Sequence, residues 1–229
     1  MFHEEVMFMS DYNEAIKRPF LDWMKFGIGA LMYMIPMVNM VTNFFGTGYM
    51  LKCAKTATRK SYALPEWENW GQLFVQGLLA TIIAVVYSLP AIIVGFIIGG
   101  STFSQLMMGF TPLALLRSLT GSMFIVGLLF LLALYILPAG IIIYATRDNF
   151  SSAFDFQIIF RRAFTAQYLT AWIVSVAYSL IVLFVAGFIS TLLAITLILP
   201  FVVGGCAVFM ASVTASTIFG EAWGETKEI

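Results

Sequence analysis

Residues 64–77 read LPEWENWGQLFVQG, and they stand between two long stretches that are almost free of charge. Pro65 suits the first position of a helix, where its missing N–H leaves nothing unsatisfied, and Trp67, Trp70, Gly71 and Phe74 then recur at spacings of three and four. Glu66, Glu68, Asn69, Gln72 and Gln76 fall on the other side. An indole joins an apolar body to one N–H donor, so it is most stable at the headgroup level of a bilayer. The stretch is expected to be a short interfacial helix, residues 64–76, with Trp67 and Trp70 as its anchors.

The chain around it supports a membrane setting. Of 229 residues 61% are hydrophobic and only 10% charged, with a mean hydropathy of +0.94, whereas soluble domains carry about a quarter charged residues. The charges collect in residues 1–25, 52–68, 117, 147–162 and 221–228, leaving uncharged runs at 26–51, 69–116, 118–146 and 163–220. One spanning helix needs roughly 20 apolar residues. The runs therefore hold five apolar segments, at 26–51, 77–99, 118–146, 168–188 and 192–219. A transmembrane barrel would instead alternate polar and apolar residues in short strands, and no such alternation is present. The formal net charge is zero, so no bulk field recruits nucleic acid.

In chain order, residues 1–25 form an amphipathic amino-terminal segment, in which Asp11 and Glu14 resemble a capping box and Pro19 stops the helix. Segment 26–51 has Pro36 at its middle and Asn39, Thr42 and Asn43 at membrane depth. It fits either a kinked span or a re-entrant hairpin that enters and leaves on one side. Residues 100–116 read as an uncharged outer connection. Ser152 with Asp155 starts a second interfacial helix, 152–164, with Phe156, Ile159, Phe160, Ala163 and Phe164 on one face. Trp172 adds a further interfacial anchor at the start of segment 168–188.

Tyr33-Met34-Ile35-Pro36, Tyr87-Ser88-Leu89-Pro90 and Tyr135-Ile136-Leu137-Pro138 repeat one pattern. The order basic loop, aromatic amphipathic stretch, span occurs at 52–99 and again at 147–188, which reads as an internal duplication. The whole is a single membrane domain, 1–229. Counting Lys and Arg on the two sides gives 8 to 4 if all five segments span and 11 to 1 if 26–51 is a hairpin. The charge rule thus favours the hairpin, while the length of the run favours a span. Both arrangements put the basic loops in the cytoplasm.

Gly48-Tyr49-Met50-Leu51 before a basic loop, Leu64-Pro65-Glu66-Trp67 with Trp70, Phe74 and Gly77, and then Tyr87-Ser88-Leu89-Pro90 resemble the domain-of-unknown-function family 4013, prokaryotic multi-pass membrane proteins. Tyr144-Ala145-Thr146-Arg147, Phe150, Ala153-Phe154-Asp155 and Tyr168 are similar to its second half. The resemblance implies a prokaryotic cytoplasmic membrane location and an all-α polytopic helical bundle of about five transmembrane segments with two or three interfacial helices. It implies no activity and carries over no site residue.

Chemistry is sparse. The single His, His3, removes most zinc and His-based schemes, and the acid pairs Glu66/Glu68 and Asp148/Asp155 read as helix starts. No catalytic group, cofactor or metal site is expected, which points to a non-enzymatic structural or accessory protein that binds lipid or a partner. Gly95 and Gly99 form a GxxxG pair that suits close helix packing, within the chain, with a membrane partner or in a homo-oligomer. Arg59, Lys60, Arg161 and Arg162 are candidate contacts for anionic lipid. The alternative function is a small-solute transporter or a transport subunit, with Pro36, Asn39, Asn43 and Pro138 as a candidate intramembrane polar site.

Overall fold

The computed structural model describes residues 12–109 and 111–226, and these are helical with no strand. Residues 12–17 are helical, and a 3-10 turn Arg18–Phe20 follows. Then come α1 (Trp23–Met34), α2 (Pro36–Ala57), α3 (Trp70–Met107), α4 (Pro112–Arg147), α5 (Phe156–Ala163), α6 (Ala166–Leu192) and α7 (Leu199–Glu225). His3 and Asp11 lie outside the described residues. Four helices are long and apolar enough to cross a membrane: Trp70–Met107, Thr120–Arg147, Ala166–Leu192 and Leu199–Glu225.

Two units make up the chain. The first comprises Met1–Thr81 and Ala139–Ile229, the second Ile82–Pro138. α3 and α4 run unbroken through the boundary residues, so the second unit consists of parts of these two helices and their short connection. The expected outer connection of residues 100–116 is thus mostly helix, because nothing between Ser101 and Met107 breaks the α3 hydrogen-bond ladder.

Segment 26–51 is not one helix. Pro36 lacks an N–H and forces the preceding residue out of the helical region, and Ile35 is accordingly extended (φ −101°, ψ 110°) between α1 and α2. The chain reverses there. Thr42 Oγ1 donates to the Met32 carbonyl at 2.6 Å, a Cβ on Gly46 would stand 2.3 Å from the Tyr33 hydroxyl, and Arg18 meets Cys53 and Thr56. The two open ends therefore lie together, and the segment is a helical hairpin. Four helices are long and apolar enough to span a membrane, and the first apolar segment folds back on itself.

α7 is the centre of the first unit. It runs against both arms of the hairpin, and its carboxy-terminal half is buried on every side from Thr217 to Trp223. Close approach is possible because it presents glycine to backbone. A Cβ on Gly205 would lie 2.7 Å from the Ala30 carbonyl oxygen, and one on Gly220 2.5 Å from that of Ala54. Phe209 fills the space opposite Gly29, edge-on to Phe26 at 5.5 Å. The hairpin crosses α3 as tightly, since a Cβ on Gly48 would meet the Leu73 carbonyl oxygen at 2.0 Å and one on Gly77 that of Phe44 at 1.8 Å.

Residues 64–69 correct an expectation. They are an irregular strap, and helix begins only at Trp70 as the first turn of α3. Residues 150–154 likewise form a 3-10 turn capped by Asn149, and the α-helix after it is capped by Asp155, whose Oδ1 accepts from the Ile158 N–H. Ser152 is spent on the turn.

Candidate functional site

The strap is held open by side chains. Arg18 Nη2 donates to the Ala63 carbonyl (3.1 Å), Lys25 Nζ to that of Leu64 (2.9 Å), the Tyr49 hydroxyl to that of Pro65 (3.0 Å) and Lys52 Nζ to that of Glu68 (3.2 Å). Four carbonyls that a helix would use internally are thus taken by the hairpin and the turn before it. Asn69 closes the strap in the left-handed region at φ 56°, a conformation Asn tolerates. Trp67 stacks on Tyr49, and its Nε1–H donates to the Lys25 carbonyl at 3.1 Å. Trp70 packs on Phe45 at 5.7 Å.

Arg18 is wholly buried. Its guanidinium donates to the Cys53 carbonyl (2.9 Å), Thr217 Oγ1 (2.9 Å) and Thr56 Oγ1 (2.6 Å) besides Ala63. All four acceptors are neutral, and among the described residues no carboxylate lies within ion-pair distance. The planar fork of one guanidinium thus ties residues 53, 56, 63 and 217 together.

Around it the charged residues work as latches. Lys25 pairs with Glu66 at 2.7 Å, and that hydrogen bond is the chief reason its ammonium pKa is raised. Asp22 caps α1 by accepting from the Met24 and Lys25 N–H groups, and the bond from Lys25 N–H leads in lowering its carboxyl pKa. Lys60 faces Glu225 at 3.7 Å. Arg162 stacks over the Trp223 ring at 4.4 Å, where burial first and then Arg161 and Arg147 lower its pKa.

The other sequence candidates fall as follows. Arg59 and Arg161 are exposed and make no ion pair with a described residue. Phe156, Phe160 and Phe164 stack successively at 6.0 Å and are exposed along α5. Trp172 is half-buried in the second turn of α6. Asn39 is half-buried and Asn43 exposed, one turn apart on α2, and neither side chain makes a hydrogen bond with a described residue. Pro36 begins α2 at the hairpin tip, whereas Pro138 lies inside α4 in the second unit. Gly99 has nothing within 4 Å and Gly95 only a Val126 methyl at 4.0 Å, so the GxxxG pair makes no close contact among the described residues.

Sequence reasoning missed Arg18, which it used only as a topology charge, and missed the packing glycines Gly205, Gly220 and Gly48. It also missed a polar cavity lined by Lys52, Lys55, Gln72, Gln76, Tyr144 and Asp148. Its residues come from three helix ends far apart in sequence, so no local spacing reveals it. Among the described residues no group of three His, Cys, Asp or Glu side chains is placed to hold a metal ion.

A helical hairpin and four long apolar helices, with a basic latch region at one end of the first unit, define an all-α multi-pass membrane protein. The family model described as "Protein of unknown function (DUF4013)" matches residues 31–191, and the chain belongs to that family. No curated protein and no solved structure matches it.

Proposed function

We propose that the chain is a non-enzymatic multi-pass protein of the prokaryotic cytoplasmic membrane whose hairpin embeds in the cytoplasmic leaflet and organises the lipid around it. The observation that carries this reading is the hairpin. From Lys25 to Met34 it rises about 14 Å at ~1.5 Å per residue, roughly half of a ~30 Å hydrocarbon core. Its tip is apolar and bare, with Met37 89% and Met40 79% exposed, which suits acyl chains and not water. Lys17, Arg18, Lys25, the 52–60 loop and Arg147, Arg161 and Arg162 sit at the mouth end, and the positive-inside rule turns that end to the cytoplasm. The Phe156, Phe160 and Phe164 ladder at the same end adds a second lipid-facing surface.

Spin labels at residues 37, 40 and 17 in nanodiscs test it. Labels 37 and 40 are expected to be relaxed by oxygen and shielded from a water-soluble nickel chelate, with label 17 open to the chelate. A water-exposed label at 37 would overturn the reading.

A second reading, small-solute transport, draws on Asn39 and Asn43, two amides on α2 that make no side-chain hydrogen bond with a described residue. Solute uptake into proteoliposomes that Asn39→Leu with Asn43→Leu abolishes would favour it.

A further inference from the structure

In the first unit the ends of α2, α3 and α4 enclose a cavity of about 150 Å³. It has room for several waters or one small polyatomic group.

Its lining is rich in donors. Lys52 Nζ makes one hydrogen bond, to the Glu68 carbonyl at 3.2 Å, so two of its three N–H donors are unused. Gln72 and Gln76, one turn apart on α3, make no side-chain hydrogen bond with a described residue, and neither does the hydroxyl of Tyr144, a residue only 5% exposed. Lys55 is paired with Asp148 at 2.5 Å, which neutralises the one carboxylate of the lining. What remains is one uncompensated ammonium with two amides and a phenol around it. That set matches a tetrahedral oxyanion, which accepts from several directions at once.

We propose that this cavity takes the phosphate of an anionic membrane-lipid headgroup. The proposal rests on the reading above, that the hairpin mouth lies in the headgroup layer. α3 begins at Trp70, two residues before Gln72, and carries Gln72 and Gln76 directly into an apolar run along which acyl chains can lie.

The test uses the full chain in nanodiscs of phosphatidylcholine with phosphatidylglycerol, extracted gently and read by native mass spectrometry. Wild type is expected to keep phosphatidylglycerol preferentially, and Lys52→Met to lower the retained fraction about tenfold, the size of a lost charge-assisted bond. Gln76→Leu is expected to lower it less. Gly99→Ala, with open space around it and outside the lining, should leave it unchanged.

Equal retention by wild type, Lys52→Met and Gln76→Leu would overturn the proposal, as would no preferential retention by wild type. In a parallel arm, glycerol phosphate is added to lipid-free protein in detergent. Saturable thermal stabilisation there without lipid retention would assign the cavity to a free phosphate ester and overturn the lipid source. A hairpin tip at mid-depth together with any of these results removes this site alone, whereas a tip in water removes the parent reading whatever Lys52 does.

Discussion

Tyr49 and Trp67 lie ring on ring, their centroids 3.9 Å apart and their planes within 4° of parallel. The Tyr49 hydroxyl and the Trp67 indole N–H each then bond to backbone, at Pro65 and Lys25, so the pair fastens the strap to both arms of the hairpin. Trp67→Ala is expected to destabilise the protein by about 2–4 kcal/mol, and Tyr49→Phe, which keeps the stack, by about 1 kcal/mol. Thermal unfolding in detergent reads both, and equal losses for the two variants would count against a stacking anchor.

Glycine decides where the hairpin meets α3. Ala at Gly48 or Gly77 would drive a methyl into a carbonyl oxygen, and backbone on both sides leaves no flexible side chain to yield. Each variant is expected to lose more than about 3 kcal/mol or fail to accumulate. Gly99→Ala, with open space around it, is expected to be silent. A tolerated Gly77→Ala would mean that the crossing is looser than described.

Arg18 is fixed by geometry as much as by charge. Its fork reaches four oxygens from three parts of the chain, which a lysine ammonium cannot span. Arg18→Lys and Arg18→Met are both expected to cost on the order of 3 kcal/mol, because the buried Cys53 carbonyl and Thr217 hydroxyl lose a donor. If Arg18→Lys melts like wild type, only the charge matters.

The latches make stability depend on pH in a stated direction. The folded-state pKa of Asp22 is lowered, so its contribution is present above the ordinary carboxylate range and is lost as pH falls through the lowered value. Lys25 is raised, so its contribution holds below its unfolded pKa and goes only as pH climbs past the raised value. The melting temperature is therefore expected to be flat near neutrality and to drop in acid. Asp22→Asn, which retains a capping oxygen, should flatten part of the acid limb. An acid limb identical in both proteins would place the titration elsewhere.

Much of this was readable from residue order. Charge-free length gave five apolar segments, and four helices of the structure are long and apolar enough to span, because burying backbone in lipid demands long helices. Pro36 with its polar neighbours marked the hairpin as one of two options, and the Lys and Arg distribution leaned towards it. Residues 64–69 misled because Trp67 and Trp70 stand three apart, a helical spacing that a strap can also satisfy. Their backbone found partners in Arg18, Lys25, Tyr49 and Lys52, and no local pattern encodes those long-range bonds. The same holds for Arg18 itself, since its acceptors at Cys53, Thr56, Ala63 and Thr217 share no period with it.

The bond from Arg18 to Thr217 joins residues 199 apart, and it sets an order of assembly. A chain made from its amino end has completed the hairpin and α3, α4 and α6 before Gly205, Phe209 and Thr217 exist. Until then the faces of α1 and α2 that α7 will cover stay bare, and the buried cation lacks one of its oxygens. Closing a loop of that length comes late and slowly. α7, made after α1 and α2, thus completes the packing that they begin.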